Sequence, residues 1–458
     1  MSAIPGSIDA DQSPPLTIPL RHFLLGLVVL LAAVLLGTVS AIDSSLIPGH
    51  QWLAYVHLLL AGWICLTIMG AMTQFVPVWS GAPLHSRRLA NLQLWIVVAG
   101  VATLALTFLA GSYRLLPVGA VVMLAGFWLF VYNVGRTLLV ARPWDVTERH
   151  FAIALGFFVV LTALGVTLAI GFTRPLFADL PVTQQSVRMG HATLAIYGTV
   201  LTTIFGALYQ LGTMFTQSSL YGVDHHIQRF EEYAFPVGVV ALTAGRLFEL
   251  AALAQIGAIL VVATVLAFSV LLARRLYTAQ VPWTPMLSRY VVLTVAMATW
   301  ALWSLPTWIH DPLAPNTLFG PPGAFSLLVL GVIGFVILGT LYHIIPFIVW
   351  VHRYSDRLGL EAVPMIDDLY DDRLAAVDFV ALTVGLSLLI ASDVFAVPST
   401  VAVVGGVLVS LGIAIFGANM VLVLRRHSHQ PIRRILFGGS EPASEAAADG
   451  GTVRSGVR

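Results

Sequence analysis

Three histidines fall inside long apolar segments of this 458-residue chain, where packing alone does not account for them. They are His57, His191 and His343, and the other ten of the thirteen histidines fall in loops or at the ends of predicted helices. Burial of a polar group without a partner costs several kcal/mol, so an ionisable side chain in an apolar span is by default a functional candidate. The chemistry open to paired imidazoles is metal ligation.

Depth along the helices separates the three histidines. His57 precedes Gly70 by 13 residues and His191 precedes Gly206 by 15, so at the helical rise the two rings differ by about 3 Å in height. His343 lies about 25 Å deeper than His57 and His191, too far to bind the same metal ion as they do. Two neutral imidazoles from facing helices are the ligand set of a low-spin haem. We predict one b-type haem held by His57 and His191, with hydrogen-bonded core histidines as the alternative.

Haem propionates are anions, so cationic side chains are expected at the same level. Arg188 precedes His191 by three residues, and Arg246 lies near the outer end of the seventh predicted span. We predict that both arginines contribute to cofactor binding. For Arg246 the alternative is an ion pair with Glu249, less than one helical turn further on.

Other polar and sulfur-bearing residues in the spans have simpler interpretations. We expect His343 to be a structural hydrogen-bonding residue. A stripe formed by Cys65, Met69 and Met72 is compatible with Cu(I), but core packing is the preferred interpretation. Glu249 and Asp393, near outer helix ends, are the acidic residues we place within spans, which leaves no evident proton carrier.

Membrane helices must position these residues. The chain is 58% hydrophobic and 10% charged, against about 25% charged in a soluble domain, which excludes a soluble enzyme. The net charge of +1 gives no indication of a nucleic-acid partner. Apolar runs of about 20 residues predict membrane-spanning helices. Twelve are predicted, beginning near His22, Leu53, Ala90, Leu115, His150, Arg188, Glu232, Leu250, Met286, Ala324, Ala376 and Thr400.

The arginines predict the orientation of these spans. With loops assigned alternately to the two sides, all but four of the 23 basic residues fall on the side of the amino terminus. The positive-inside rule then predicts cytoplasmic termini in the plasma membrane. We divide the chain into a tail over 1–20, without a basic segment typical of a cleaved signal, a membrane domain over 21–437 and a disordered tail over 438–458. The four exceptions are Arg114, Arg174, Arg188 and Arg246.

A repeated glycine pattern predicts the architecture. Predicted spans 2, 6 and 10 each hold two glycines eight residues apart, followed four residues later by Gln74, Gln210 or His343. Close helix packing explains one such pair, but not the same register three times. We predict three units of four helices, unlike transporters built from two halves of six. The glycine pairs are Gly62 and Gly70, Gly198 and Gly206, and Gly331 and Gly339.

This pattern resembles the catalytic subunit of the haem–copper oxidase and nitric oxide reductase superfamily. The segment from His57 through Met69-Gly70-Ala71 to Pro77 is similar to its low-spin haem helix, and residues 188–198 resemble its haem-bearing tenth helix. The resemblance implies an all-α integral membrane fold of twelve transmembrane helices in three pseudo-symmetric four-helix units. Residues 73–81, with Leu94-Trp95, are also similar to the NnrS family of haem- and copper-containing membrane proteins linked to nitric oxide tolerance.

The chain departs from the superfamily at the copper centre, which uses three histidines, two of them adjacent within a span. Here the adjacent pair is His225-His226, in a segment we predict to be a charged cytoplasmic loop, so copper is possible but unsupported. The resemblance implies electron transfer or handling of nitric oxide or another diatomic gas. A divergent terminal oxidase or nitric oxide reductase and a membrane transporter remain alternatives, and enzymatic activity stays open.

The expected partners follow from the membrane location. They are membrane lipid and a redox partner protein or quinol, with no nucleic acid. A run of acidic residues before span 11 is either a divalent-cation site or, as we prefer, a solvated loop. Its members are Asp367, Asp368, Asp371 and Asp372.

Overall fold

The computed structural model describes residues 14–47 and 49–438, and these residues form an all-helical protein without named strands. Eleven of its helices are long and apolar enough to cross a membrane. The helices are α1 (Thr17–Ile42), α2 (Gln51–Ser80), α3 (Arg87–Ala110), α4 (Leu116–Val140), α5 (Val146–Gly171), α6 (Gln184–Thr216), α7 (Val223–Leu247), α8 (Ala251–Tyr277), α9 (Pro285–His310), α10 (Ala324–Arg353), α11 (Asp372–Val394), α12 (Thr400–His427) and a short α13 (Ile432–Phe437).

Helix α7 is the long helix that does not qualify as a candidate span. Its longest uncharged run is residues 233–245, between the acidic side chains of Glu231 and Glu232 and the guanidinium of Arg246. That run rises about 20 Å, less than the roughly 30 Å of a hydrocarbon core. The same charges explain why the predicted start at Glu232 is nine residues late, whereas the other eleven predicted starts agree within five residues.

Local signals set several helix ends. The side chains of Ser86, Asp145 and Thr183 accept hydrogen bonds from the first-turn amides of α3, α5 and α6. Gly81 and Gly111 follow α2 and α3 with φ of 64° and 65°, the left-handed conformation that terminates a helix cheaply only at glycine. Helix α1 begins at Thr17, inside the tail predicted over 1–20, and most of the predicted tail over 438–458 lies outside the described residues.

The long helices pack in a closed ring around three central ones. Each long helix contacts the next in sequence, and α12 returns to pack against α1. The candidate spans of α2, α6 and α10 are 61, 83 and 78% buried, whereas no other candidate span exceeds 56%. The helices that carry the glycine pairs therefore form the centre of the bundle.

Each central helix contains one π-helical stretch, and in each the fifth residue is the first glycine of the pair. Such stretches are rare, so their occurrence at the same register in three helices extends the sequence repeat to the backbone. The stretches are Leu58–Ile64, Leu194–Leu201 and Leu327–Gly334.

The second glycine of each pair lies where a central helix packs closely against the helix before it. At all three positions a methyl group in place of the glycine hydrogen would crowd a side chain on α1, α5 or α9. The Cβ-to-Cβ distances would be 2.7 Å from Gly70 to His22, 2.5 Å from Gly206 to His150 and 3.1 Å from Gly339 to Arg289. These contacts place His22, His150 and Arg289 at equivalent positions.

Candidate functional site

The two predicted haem ligands share a hydrogen-bonding state. Nδ1 of His57 lies 2.7 Å from the carbonyl oxygen of Leu53, and Nδ1 of His191 lies 3.0 Å from that of Leu161 on α5. A carbonyl oxygen only accepts, so each Nδ1 carries the proton and, in the neutral ring, each Nε2 presents a lone pair. This tautomer is the one that ligates a metal through Nε2.

The structure brings these two imidazoles near each other. Both rings are half-buried, and they lie close enough to interact electrostatically. The ring of His57 contacts Phe108 of α3 with 5.5 Å between centroids, and the His191 ring lies against Gly165 of α5. The pair therefore borders the region between α2, α3, α5 and α6. No group of three or more His, Cys, Asp or Glu suited to a metal occurs among the described residues, but a haem with two axial ligands does not require one.

Arg246 is fully buried and is not paired with an acid among the residues that the structure describes. Its Nη1 donates to Thr193 Oγ1 at 2.9 Å, its Nε donates to the Pro312 carbonyl at 3.1 Å, and its guanidinium lies 4.8 Å from the centre of the Trp308 ring. Its Nη2 has no hydrogen-bond partner within the described part of the chain. The alternative ion pair with Glu249 does not form there, and Glu249 is exposed.

The two predicted propionate ligands lie in different surroundings. Arg188 is exposed, one turn before His191 on α6. Arg246 instead reaches Thr193, which faces α7, whereas His191 faces α5. Arg246 therefore approaches α6 from a different side than the candidate haem region.

A cleft at the same end of the bundle as His57 contains two arginines to which we assigned no role from the sequence. Arg114 and Arg174 line an opening of about 700 Å³ together with Tyr113 and Phe172. The rings of Tyr113 and Phe172 both contact Phe108, the neighbour of His57, with centroids 6.5 and 5.9 Å apart. Arg114 and Arg174 could have been noticed in the sequence, because they are two of the four arginines assigned to the side opposite the amino terminus.

His343 lies among aromatic rings at the other end of the central helices. Its centroid is 4.8 Å from that of Phe215 and 6.1 Å from that of Phe347. The hydrogen-bonding role expected for it stays a prediction. Cys65, Met69 and Met72 are buried within the main hydrophobic core, in agreement with packing.

The expectation that acidic residues within the spans are confined to outer helix ends is wrong. Glu231 of α7 is fully buried, and both its carboxylate oxygens lie 3.1 Å from Nε2 of His150. Tyr209 of α6 donates to the same carboxylate at 2.8 Å. Because Nδ1 of His150 donates to the Val146 carbonyl, the contact with Glu231 requires one proton between the two groups.

A second buried cluster joins α9, α10 and α11. Asp378 of α11 is fully buried, forms a salt bridge with Arg289 and accepts a hydrogen bond from Tyr342. The guanidinium of Arg289 also lies 4.3 Å from the centre of the Tyr342 ring, and Asn419 donates to the Tyr342 hydroxyl at 3.2 Å. This carboxylate is held by charged and neutral donors together.

A sequence signal for both clusters existed. Tyr209 and Tyr342 each follow the second glycine of a pair by three residues, and Glu231 and Asp378 each follow within the next helix. The predicted span that begins near Glu232 leaves Glu231 outside it, whereas Asp378 lies inside the span predicted from Ala376 and inside the candidate span Asp372–Val394. In both cases the burial was missed because the partners that offset its cost lie on other helices.

The acidic residues before α11 accept hydrogen bonds from residues close to them in sequence. Asp371 accepts the amides of Arg373 and Leu374 at the start of α11, and Asp367 accepts from the hydroxyl of Tyr370. Burial raises the pKa of Tyr370, which keeps this phenol a donor. The helix-capping role favours the interpretation as an ordinary loop over a cation site.

No model of a known protein family matches the chain, and no curated protein matches it.

Proposed function

We propose that this chain is a membrane haem protein that binds one b-type haem, with His57 and His191 as its axial ligands. The observation that carries the proposal is their shared tautomer: each Nδ1 is bound to a backbone carbonyl, so each Nε2 is available to iron. Their proximity and apolar surroundings fit the same cofactor. When bound, the haem would supply reversible one-electron exchange, in electron transfer or in handling of nitric oxide or another diatomic gas.

The proposed architecture is twelve transmembrane helices in three pseudo-symmetric four-helix units, as in the oxidase subunit that the sequence resembles. The matching π-helical stretches and the equivalent contacts of Gly70, Gly206 and Gly339 support it. The proposal includes a multi-pass plasma-membrane location with both termini cytoplasmic, which places the two histidines near the outer surface.

Within this site the protein's own groups have separate tasks. The carbonyls of Leu53 and Leu161 would fix the orientation of the imidazoles. Arg188 would approach a propionate from the helix that carries His191. Arg246, which was predicted to contribute from the sequence, is left out of this cofactor region because it reaches α6 from a different side. A lipid environment and a redox partner protein or quinol complete the proposal.

The test is the absorption spectrum of the purified protein with variants of each histidine. We expect a Soret band in the native protein and its loss in His57→Ala and in His191→Ala, because each variant removes one axial ligand. His343→Ala is the matched control, since it removes an imidazole from the same central bundle at a different depth. Its spectrum should be unchanged.

Two outcomes contradict the proposal. A native protein without haem would favour a transporter, and a normal low-spin spectrum in both outer variants would show that other residues ligate the iron. Consumption of oxygen or nitric oxide by the reduced protein, with stoichiometric copper, would instead favour a divergent oxidase or nitric oxide reductase.

A further inference from the structure

A cavity lies between the three central helices, in the half of the bundle away from His57. Its walls come from equivalent positions on α2, α6 and α10, counted from the second glycine of each pair. Two residues before that glycine stand Ile68, Ile204 and Ile337, and one residue after it stand Ala71, Ala207 and Thr340. The cavity is therefore centred where the three helices converge, and small side chains at the second set of positions leave it open.

The three threonine hydroxyls of the cavity wall are already hydrogen-bonded. Thr67 and Thr203 donate to carbonyls one turn earlier on their own helices, at 2.9 and 2.8 Å. The hydroxyl of Thr340 is paired with that of Tyr290 at 2.7 Å. The remaining wall is aliphatic, aromatic or thioether. A buried water needs two to four polar partners, so an ordered water is not stabilised here.

We propose that this axial cavity binds a single small, uncharged, nonpolar molecule, a diatomic gas such as dioxygen or nitric oxide. Its volume is about 80 Å³. An engineered apolar cavity of about 150 Å³ stays dry and binds benzene or xenon, so a cavity about half that size suits a single gas atom or diatomic. Ions and polar solutes are excluded because nothing in the wall replaces their hydration.

The proposal does not depend on the haem. The cavity is lined by residues from Thr67 onward on α2, at least ten residues beyond His57, and it contains neither of the candidate axial ligands. Gas binding here and haem binding at the outer pair are therefore measured separately, and the failure of one leaves the other intact.

Xenon is the probe, because it is nonpolar, monatomic and comparable in size to a diatomic gas. The full-length protein is titrated with xenon in detergent micelles, and binding is followed by the chemical shift of the xenon nucleus. We expect a saturable site in the native protein that competes with nitric oxide. Ala207→Phe should fill the cavity and weaken saturable binding at least tenfold, and Ala71→Val should weaken it less.

The matched control is Ala125→Phe, which adds the same ring at an exposed position on α4. It should bind xenon like the native protein. Ala71→Val adds only two methyl groups, so it keeps the test valid if the larger substitution at Ala207 prevents folding. Non-saturable partitioning that is equal in the native protein, Ala71→Val and Ala125→Phe would overturn the proposal, as would a detergent or lipid chain found in the cavity.

Discussion

The two buried clusters, one joining α5, α6 and α7 and the other joining α9, α10 and α11, have the same construction but different charges. Each joins a basic residue opposite the second glycine, a tyrosine three residues after it and an acid on the following helix. They are His150, Tyr209 and Glu231 in one cluster, and Arg289, Tyr342 and Asp378 in the other. Arginine is always charged, whereas histidine and glutamate can share one proton as a neutral pair. One cluster thus contains an obligate ion pair and the other does not.

The equivalent position on α1 continues this series. His22 donates from Nδ1 to the Ile18 carbonyl at 2.8 Å, and its Nε2 is buried without a hydrogen-bond partner among the described residues. Thr73 stands where the other two clusters have tyrosine. The three equivalent positions therefore differ in charge. His22 has no ion pair, His150 and Glu231 share a proton, and Arg289 and Asp378 form a permanent ion pair.

The largest effect is expected from Asp378→Leu. It leaves the charge of Arg289 buried without a counter-ion, so we expect a loss of about 3–5 kcal/mol in the free energy of unfolding. The measurement is equilibrium unfolding in mixed micelles. The double variant Arg289→Met, Asp378→Leu removes both charges and should recover most of the loss. If the single and double variants are equally unstable, the ion pair is not the cause.

A smaller effect is expected from Glu231→Gln in the other cluster. Neutral His150 keeps its Nδ1 bond, and its Nε2 can accept from the glutamine amide while the amide oxygen accepts from Tyr209. We expect a loss of about 1 kcal/mol, since one neutral hydrogen bond replaces another. The same unfolding measurement applies, with Glu231→Leu as the variant that leaves both partners unsatisfied. A loss from Glu231→Gln as large as that from Asp378→Leu would mean that the two clusters are electrostatically alike.

These clusters also show how far sequence reasoning reached. The starts of eleven helices were predictable, because apolar length is a local property. The glycine spacing marked α2, α6 and α10 as related helices, but their central position came from the structure. Burial of Glu231 and Asp378 was not, because it depends on His150 and Arg289, which are 81 and 89 residues away.

Part of the candidate haem site could also be predicted from the sequence, and part could not. The spacing of His57 and His191 to the glycines predicted heights that differ by about 3 Å. A π-helical stretch lies between the histidine and the second glycine in both helices, so the comparison between the two helices still holds. The carbonyl of Leu161, which orients His191 from α5, was not predictable, because a contact between helices has no signature in either one. The absence of an Arg246–Glu249 pair has the same origin, since Thr193 and Pro312 are remote in sequence.

Two glycine substitutions compare how tightly the two clusters are packed. Gly206→Ala would bring Cβ to 2.5 Å from His150, so we expect a loss of about 1–3 kcal/mol from overpacking. Gly339→Ala meets Arg289 at 3.1 Å, where a shift of a few tenths of an ångström relieves the contact. Alanine also stabilises a helix by about 0.5–1 kcal/mol relative to glycine. Gly339→Ala should therefore change the free energy of unfolding very little.

The control for that pair is Gly135→Ala on α4, where an added Cβ meets nothing within 4 Å. Gly135→Ala should show only the increase in the free energy of unfolding that alanine brings to a helix. Subtracting that increase from the results for Gly206→Ala and Gly339→Ala gives the cost of crowding at each position. Equal costs at the two positions would mean that the bundle relaxes freely around both clusters. A larger cost beside His150 would mean that this cluster is the more tightly packed, because its shared proton requires a closer fit than the long side chain of Arg289.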